Sequence, residues 1–359
     1  MRILQIIDSL EAGGAERMAV NYANALVNEI AFSGLVATRK EGPLVRQLNQ
    51  KVQYLFLERK KTLDFRAVFR LRKFVKKHKV TIVHAHGTSY FIAVLLKLIR
   101  PSIRLIWHDH YGNSEFLEDR SLLTLRLGRF FFGGVIVVNQ KLKLWVQHKM
   151  GFKNVIYLPN FVIEKKEGLG ETVLKGQSGK RIICLANLRE QKNHFLLLKV
   201  AVKMKETYPE WTFHLVGKDF KDEYSRQIKQ FIGDNELENT VFVYESLEDV
   251  ESVLHQATIG VLCSKSEGLP VSLLEYGLCK IPVVVSNVGE IGSIIQNGDN
   301  GVLLDSLVHH SFYKALVQLI DNEHLRAKFG LGLQNTIKKK FTESAIIEQY
   351  LTWLKKTKR

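Results

Sequence analysis

The feature that most restricts the fold is a regular exchange of short, β-branched apolar runs with helix-like stretches. In the first half the runs are RILQIID (Arg2–Asp8), FSGLVAT (Phe32–Thr38), VQYLFL (Val52–Leu57), VTIVHAH (Val80–His86), IRLIWHD (Ile103–Asp109), GVIVVN (Gly134–Asn139) and NVIYLPN (Asn154–Asn160). They are almost continuously apolar rather than alternating, which marks strands buried on both faces of a parallel sheet. Helical patterns such as GAERMAVNYANALVNE (Gly14–Glu29) separate most of them. Repeated βα units demand right-handed crossovers and therefore a doubly wound domain.

A polar, glycine-bearing stretch at 163–180 reads as a linker. A second βα series follows: RIICLAN, TFHLVG, TVFVYE, IGVLCS, IPVVVS and GVLLD. After Asp305 the pattern is helical to the end, closing on FTESAIIEQYLTWLKK (Phe341–Lys356). The 359 residues suffice for two cores. The expected architecture is α/β, with Rossmann-like domains over 1–162 and 181–340 facing across a cleft. A terminal helix over 341–359 is expected to pack back on the first domain. Ligands of such sheets bind beyond the C-terminal strand edges.

Several classes are disfavoured. No apolar run reaches the ~18 residues that span a bilayer. The longest, RFFFGGVIVV (Arg129–Val138), is short, and its Gly pair reads as the turn before a strand. The N-terminus lacks a signal-peptide core and cleavage pattern. Cys184, Cys263 and Cys279 have no metal-like spacing and read as reduced, buried thiols of a cytoplasmic protein.

The net charge of +16 is unevenly placed. Residues 1–166 hold 28 Lys/Arg against 12 Asp/Glu, and the remainder holds 24 of each. Much of the excess lies in ERKKTLDFRAVFRLRKFVKKHKV (Glu58–Val80), where Phe65, Val68, Phe69, Arg72 and Val75 recur at helical spacing. Such a helix suits an anionic membrane surface, and a solvated face of a packed helix fits equally well. No nucleic-acid-binding signature accompanies the charge.

Two stretches carry chemistry. After the first strand, SLEAGGAER places Gly13 and Gly14 at a helix start, where free amides and the helix dipole favour an anion. This is not the dinucleotide fingerprint, and an ordinary tight βα turn accounts for the pair as well. The second is SKSEGLPVSLLEYG (Ser264–Gly277). Pro270 suits a first helical turn, so Glu267 falls in the preceding loop and Glu275 inside the helix. The Gly268–Ser272 amides, including those of Leu269 and Ser272, form another anion site. One carboxylate can bind sugar hydroxyls and the other a ribose diol, which fits a sugar–diphosphate–nucleoside.

With GLCKIPVVVSNVGE and NGDNGVLLD following it, this segment resembles the C-terminal hallmark of family-4 retaining glycosyltransferases of the GT-B fold; GGAER resembles their N-terminal loop. The resemblance spans nearly the whole chain. It implies that Glu267 contacts the donor sugar and stabilises oxocarbenium character, that Glu275 holds the ribose, and that Gly13 and Gly14 approach the diphosphate. ANLREQKNH resembles the family's phosphate-clamping loop, with Lys192 at the lysine position. Asn187 stands where an arginine is usual, and Arg189 is expected to act in its place. Gly217 joins the expected donor-binding set. The family also uses a histidine after an N-domain strand, for which His110 is preferred over His108. His84 and His86, with His108, are expected to line the cleft. Taken alone, these His-x-His pairs also fit structural roles.

The resemblance implies a UDP-, GDP- or ADP-sugar donor and a glycan or lipid-linked acceptor in surface-polysaccharide assembly, at the cytoplasmic face of a membrane. No metal or other cofactor is expected: the chain has no Asp-x-Asp, and the His pairs lack an evident third ligand. A nucleotide-sugar epimerase, a phosphorylase and a basic membrane- or nucleic-acid-binding scaffold are the rival readings.

Overall fold

A computed structural model describes residues 1–163 and 170–357. Of the linker expected at 163–180, residues 164–169 lie outside the described residues. The chain forms two compact units. One comprises residues 1–163 with the segment from Glu343 onward, and the other extends to Thr342.

Unit 1 holds the strands β1 (Arg2–Ser9), β2 (Phe32–Lys40), β3 (Gln53–Phe56), β4 (Ile82–His86), β5 (Arg104–Asp109), β6 (Phe132–Val137) and β7 (Val155–Tyr157). Its first five helices are α1 (Gly14–Ala25), α2 (Phe65–Lys77), α3 (Tyr90–Ile99), α4 (Leu123–Gly128) and α5 (Gln140–Met150). The strands are parallel in the order β3-β2-β1-β4-β5-β6-β7. Unit 2 holds β8 (Arg181–Leu185), β9 (Thr212–Val216), β10 (Val241–Tyr244), β11 (Ile259–Leu262), β12 (Val283–Ser286) and β13 (Val302–Leu304). Its helices are α6 (His194–Thr207), α7 (Glu223–Asp234), α8 (Val250–His255), α9 (Val271–Leu278), α10 (Ile291–Ile294), α11 (His309–Ile320) and α12 (Glu323–Lys340). Its parallel sheet runs β10-β9-β8-β11-β12-β13.

In both sheets the order reverses beside the first strand of the unit, between β1 and β4 and between β8 and β11. Such a reversal opens a crevice beyond the strand ends, because the flanking connections leave in opposite directions. The near-continuous apolar runs explain the burial of β4, β9 and β12 along their whole lengths.

Alternation on the central strands of unit 1 divides its sheet into two chemically different faces. Leu4, Ile6, Val83, Ala85, Leu105 and Trp107 enter an apolar core with Val68, Leu71 and Val75 of α2. Gln5, His84, His86 and His108 have the opposite parity. That opposite face is covered by Tyr22 of α1, by Phe161 and by Tyr350 of α13 (Glu343–Lys356).

Helix α13 is thus part of unit 1 although it follows unit 2 in sequence. Ile346, Ile347, Tyr350 and Leu354 are buried. Trp353 Nε1 donates to Asn154 Oδ1 at 3.0 Å, and Arg104 Nη1 donates to the Leu354 carbonyl at 2.7 Å. The Trp353 ring explains one departure from the sequence reading. Gly133 and Gly134 do not form a turn but lie inside β6, where a Cβ on Gly134 would sit 2.7 Å from that ring.

Helix α2 spans the stretch expected to be a basic amphipathic helix. Asp64 caps it, accepting from Ala67 N at 3.0 Å. Its buried stripe is Ala67, Val68, Leu71 and Val75. Phe65 and Phe69 are instead exposed, at 67% and 58%, among Arg66, Arg72, Lys73, Lys76 and Lys77. No helix among the described residues is long and apolar enough to cross a membrane. The three cysteines are unpaired, with Cys184 and Cys263 buried and Cys279 half-buried rather than buried.

Candidate functional site

The C-terminal edge of unit 2 gathers the second chemistry-bearing stretch around one ion pair. Strand β8 leads to a short 3-10 turn, Glu190–Lys192, and β11 leads to the loop carrying Ser264–Gly268. Because β8 and β11 are neighbours, these loops lie side by side. Gln191 Nε2 donates to the Ser266 carbonyl at 2.7 Å, and Lys265 N donates to the Gln191 carbonyl at 2.8 Å. Lys192 Nζ then lies 2.5 Å from Glu267 Oε1, which also accepts from Ser264 Oγ at 2.7 Å.

The pair is nearly enclosed, with Glu267 5% and Lys192 19% exposed at the side chain. A carboxylate that loses water is stable only when paired and hydrogen-bonded, and both conditions are met. The backbone behind it is tightly set. Glu290 N donates to the Gly268 carbonyl at 2.9 Å. Gly289 holds a left-handed φ of 59°, and a Cβ there would fall 2.2 Å from the Glu267 carbonyl oxygen. Only glycine fits that contact.

Gly268, Leu269 and Pro270 are buried, so they offer backbone rather than side chains. Pro270 stands at the N-cap of α9 and makes no side-chain cap hydrogen bond, so the helix dipole points its positive end at this loop. Ser272 and Glu275 are half-buried on α9, Ser272 in its first turn and Glu275 beyond it.

The clamp loop is less simple than the sequence suggests. Asn187 Oδ1 accepts from Lys218 N at 2.9 Å. Arg189 is exposed, with its guanidinium 4.5 Å from the Phe220 ring, and Lys218 Nζ lies 5.1 Å from that same ring. Lys192 reaches Glu267, whereas Arg189 and Lys218 share an aromatic platform. Lys218 and Phe220 escaped sequence reasoning; the available signal was their place just after Gly217 at the end of β9. Gly217 brings that strand end close, since a Cβ on it would lie 2.4 Å from the Ala186 carbonyl.

In unit 1, β1 runs to Ser9 and α1 begins at Gly14 with Gly13 as its cap, and the Glu16 carboxylate lies against Gly13, where a Cβ would fall 2.2 Å from its Oε2. Asp8 is anchored by Thr38 Oγ1, by Thr88 Oγ1 at 2.7 Å and by Arg59 Nη2 at 3.1 Å. At the end of β5, Asp109 holds a bidentate pair with Arg120, at 2.6 and 3.0 Å, which fixes the segment leading into His110.

The expected cleft histidines are not cleft residues. His84, His86 and His108 are buried, at 0%, 0% and 1% exposure, on the polar face of the sheet beneath Tyr22 and Tyr350. The register of β4 and β5 sets His86 opposite His108, which a sequence does not display. His110, one residue beyond the strand, is half-buried. It stacks on His108 with ring centroids 3.8 Å apart.

The absence of a third ligand, expected from sequence, is also corrected. Nitrogens of His84, His86 and His108 lie within 4.8 Å of one another. The donor set nevertheless suits hydrogen bonding better than a cation. His84 binds Tyr350 Oη (3.1 Å) and His108 Nδ1 (3.2 Å), while His86 binds Gln5 Oε1 and His110 Nε2, both at 2.9 Å. Among these three rings only His108 Nε2 has no partner, so a metal would have to break existing bonds. Burial holds His84, His86 and His108 well below the usual histidine range and lowers His110 to about 3. The cluster is neutral at physiological pH.

This arrangement finds counterparts among known proteins. Residues 12–165 match the family model described as Glycosyltransferase Family 4, and residues 170–334 match Glycosyl transferases group 1. The chain is 23% identical to a UDP-Gal:alpha-D-GlcNAc-diphosphoundecaprenol alpha-1,3-galactosyltransferase of Escherichia coli, over 87% of this chain and 86% of that one. It is 24% identical to the GalNAc-alpha-(1->4)-GalNAc-alpha-(1->3)-diNAcBac-PP-undecaprenol alpha-1,4-N-acetyl-D-galactosaminyltransferase of Campylobacter jejuni, over 99% and 98%. A structure of Anabaena HepE in complex with UDP and glucose superposes with a TM-score of 0.80 at 16% identity, covering 99% of this chain and 100% of that one. The two family segments, in the order of the two Rossmann-like units, make this chain a glycosyltransferase of the GT-B fold, in the family 4 and group 1 lineage.

Proposed function

We propose that the protein transfers a glycosyl group from a nucleotide-diphospho-sugar to an acceptor hydroxyl, with retention at the anomeric carbon and without a metal ion. The observation that carries this reading is the enclosed Lys192–Glu267 pair at 2.5 Å beside the start of α9. When the bond from the anomeric carbon to the phosphate oxygen breaks, its electron pair stays on the diphosphate. Lys192 and the α9 amides stabilise that charge, with Arg189 and Lys218 as further cations near the strand ends. Glu267 meets the sugar hydroxyls and the positive character on the ring, and Glu275 takes the ribose diol.

The acceptor oxygen attacks the face that the phosphate leaves. Its proton passes to the departing phosphate oxygen, which balances the step without a protein base. In unit 1, the Gly13–Gly14 turn serves the diphosphate and His110 the sugar end of the reaction. Unit 2 is assigned to the donor and unit 1 to the acceptor.

The acceptor is assigned as lipid-linked or polymeric, in cell-surface glycan assembly at the cytoplasmic leaflet. The relatives named for diphosphoundecaprenol acceptors support this. So does the exposed pairing of Phe65 and Phe69 with a cationic face on α2, since each nearby Lys or Arg contributes about 1 kcal/mol at an anionic surface.

A panel of UDP-, GDP- and ADP-sugars, turned over in the presence of a chelator, tests the donor assignment. One nucleotide class should be consumed with the chelator present. Dependence on added divalent metal would overturn the metal-free step, and an unchanged panel with no nucleotide-induced rise in Tm would favour a scaffold. Flotation with anionic against neutral liposomes tests the membrane assignment, which fails if binding shows no preference and charge reversal across Arg70–Lys79 leaves activity on lipid-linked acceptor intact.

A further inference from the structure

Behind His110 runs a line of hydrogen bonds that the glycosyl-transfer scheme does not use. It starts at Gln5 on β1, crosses His86 on β4 and ends at His110. Gln5 Oε1 lies 2.9 Å from His86 Nε2, and His86 Nδ1 lies 2.9 Å from His110 Nε2. Gln5 and His86 are both completely buried, while His110 is half-buried.

The bonding capacity of each atom fixes the direction of the line. A carbonyl oxygen only accepts, so His86 must carry its proton on Nε2. A neutral imidazole has one N–H, which leaves His86 Nδ1 as an acceptor. The bond to His110 is then donated by His110 Nε2–H, and Nδ1 of His110 is left with its lone pair. The opposite amide orientation of Gln5 would reverse every bond. The structure sets Gln5 Oε1, not the amide nitrogen, against His86 Nε2, and the amide nitrogen itself has no hydrogen-bond partner. Ring rotation of His110 is also restrained, since it stacks on both His108 and His86 at interplanar angles of 26° and 12°.

We propose that Gln5 and His86 are positioning residues that set the tautomer of His110, keeping its proton on Nε2 so that Nδ1 accepts a hydrogen bond from a substrate hydroxyl. This rests on the assignment of His110 to the sugar end of the reaction. A residue pair of this kind orients a site group much as a partner behind a metal-bound or catalytic imidazole does. No bond is made or broken in the line itself.

The test reads the tautomer directly. Full-length protein labelled with ¹⁵N-histidine is examined at neutral pH by long-range ¹H–¹⁵N correlation, with His110 assigned from the pattern lost in His110→Gln. The expected wild-type result is a neutral ring protonated on Nε2. Gln5→Met keeps the volume but removes the acceptor. It should replace the single His110 pattern by a mixture and lower kcat about fivefold, the worth of one misdirected hydrogen bond, with KM for the nucleotide sugar unchanged. A wild-type His110 protonated on Nδ1 would overturn the proposal. So would an unchanged His110 pattern in Gln5→Met with native near-ultraviolet dichroism. If Gln5→Met does not fold, the wild-type spectrum decides alone. The spectrum is independent of turnover, so a failed glycosyltransferase assay leaves this readout standing.

Discussion

The two units share one strand order over six strands, unit 1 adding a seventh, but fill their reversal points with opposite chemistry. Between β8 and β11 the structure places a charged pair, Lys192 and Glu267, drawn from two loops that are hydrogen-bonded to each other. Between β1 and β4, and across to β5, it places uncharged polar groups: Gln5, His84, His86 and His108, with His110 at the rim. The difference teaches what each crevice can tolerate. The crevice of unit 2 holds a lysine whose near-burial is supported by a carboxylate, the fixed charge that the proposed diphosphate site requires. The buried face of unit 1 has no countercharge, and its neutral imidazoles satisfy one another and Tyr350 as donors and acceptors.

The contrast also has a structural side. The polar face of unit 1 is covered by Tyr22 of α1 and by α13, which arrives from the far end of the chain, whereas the Lys192–Glu267 pair is held by loops close to it in sequence. Tyr350→Ala should therefore cost about 3–5 kcal/mol, the range for deleting a buried aromatic ring, and should uncover His84. Urea unfolding with a probe in unit 1, such as Trp353 fluorescence, checks it; a loss below 1 kcal/mol would mean that α13 is dispensable to the face. Glu267→Ala should leave that transition little changed and reduce kcat by about a hundredfold to a thousandfold. Equal damage to both readouts would break the distinction between a structural polar face and a reactive one.

Acid sharpens the contrast further. The folded state holds the four clustered histidines below their unfolded pKa of about 6.5, with His110 near 3. Below about pH 6.5 the unfolded chain binds more protons than the folded one, so stability is fully present above that pH and falls as acid is added. Each such histidine contributes a slope of up to about 1.4 kcal/mol per pH unit. Unit 2 has the buried His214, lowered to about 4 by burial, so unit 1 should unfold first between pH 6.5 and 4. Hydrogen exchange resolved by unit measures this, and simultaneous loss would contradict it. The smallest effect concerns Ser264, whose hydroxyl steadies Glu267. Ser264→Ala should lower kcat about fivefold, in line with one hydrogen bond of about 1 kcal/mol, with folding unaltered.

The strands were legible in the sequence because buried parallel strands announce themselves as β-branched runs. SKSEGLPVSLLEYG was equally readable, since loop and helix are local and Glu267 and Glu275 follow from Pro270. The imidazole cluster was not. It depends on the β4–β5 register, which pairs His86 with His108, and on Tyr350, 266 residues distant from His84 in sequence. The glycines at 133–134 were misread because the Trp353 ring that requires a bare backbone at Gly134 arrives from the far end of the chain. In α2 the periodicity was visible, but which stripe is buried, Ala67, Val68, Leu71 and Val75, is decided by the sheet it meets. Lys218 lies just after a strand end, where no local pattern separates a site cation from a solvated one.

If the charged crevice of unit 2 receives the diphosphate, as proposed, calorimetric titration reads that contact without turnover. Wild type and Lys192→Ala are titrated with the nucleoside diphosphate that the donor panel selects, in chelator and at two salt concentrations. Lys192→Ala should bind at least about tenfold more weakly, the worth of one charge-assisted hydrogen bond, with a shallower salt dependence. An affinity and salt dependence unchanged by Lys192→Ala would contradict the proposal.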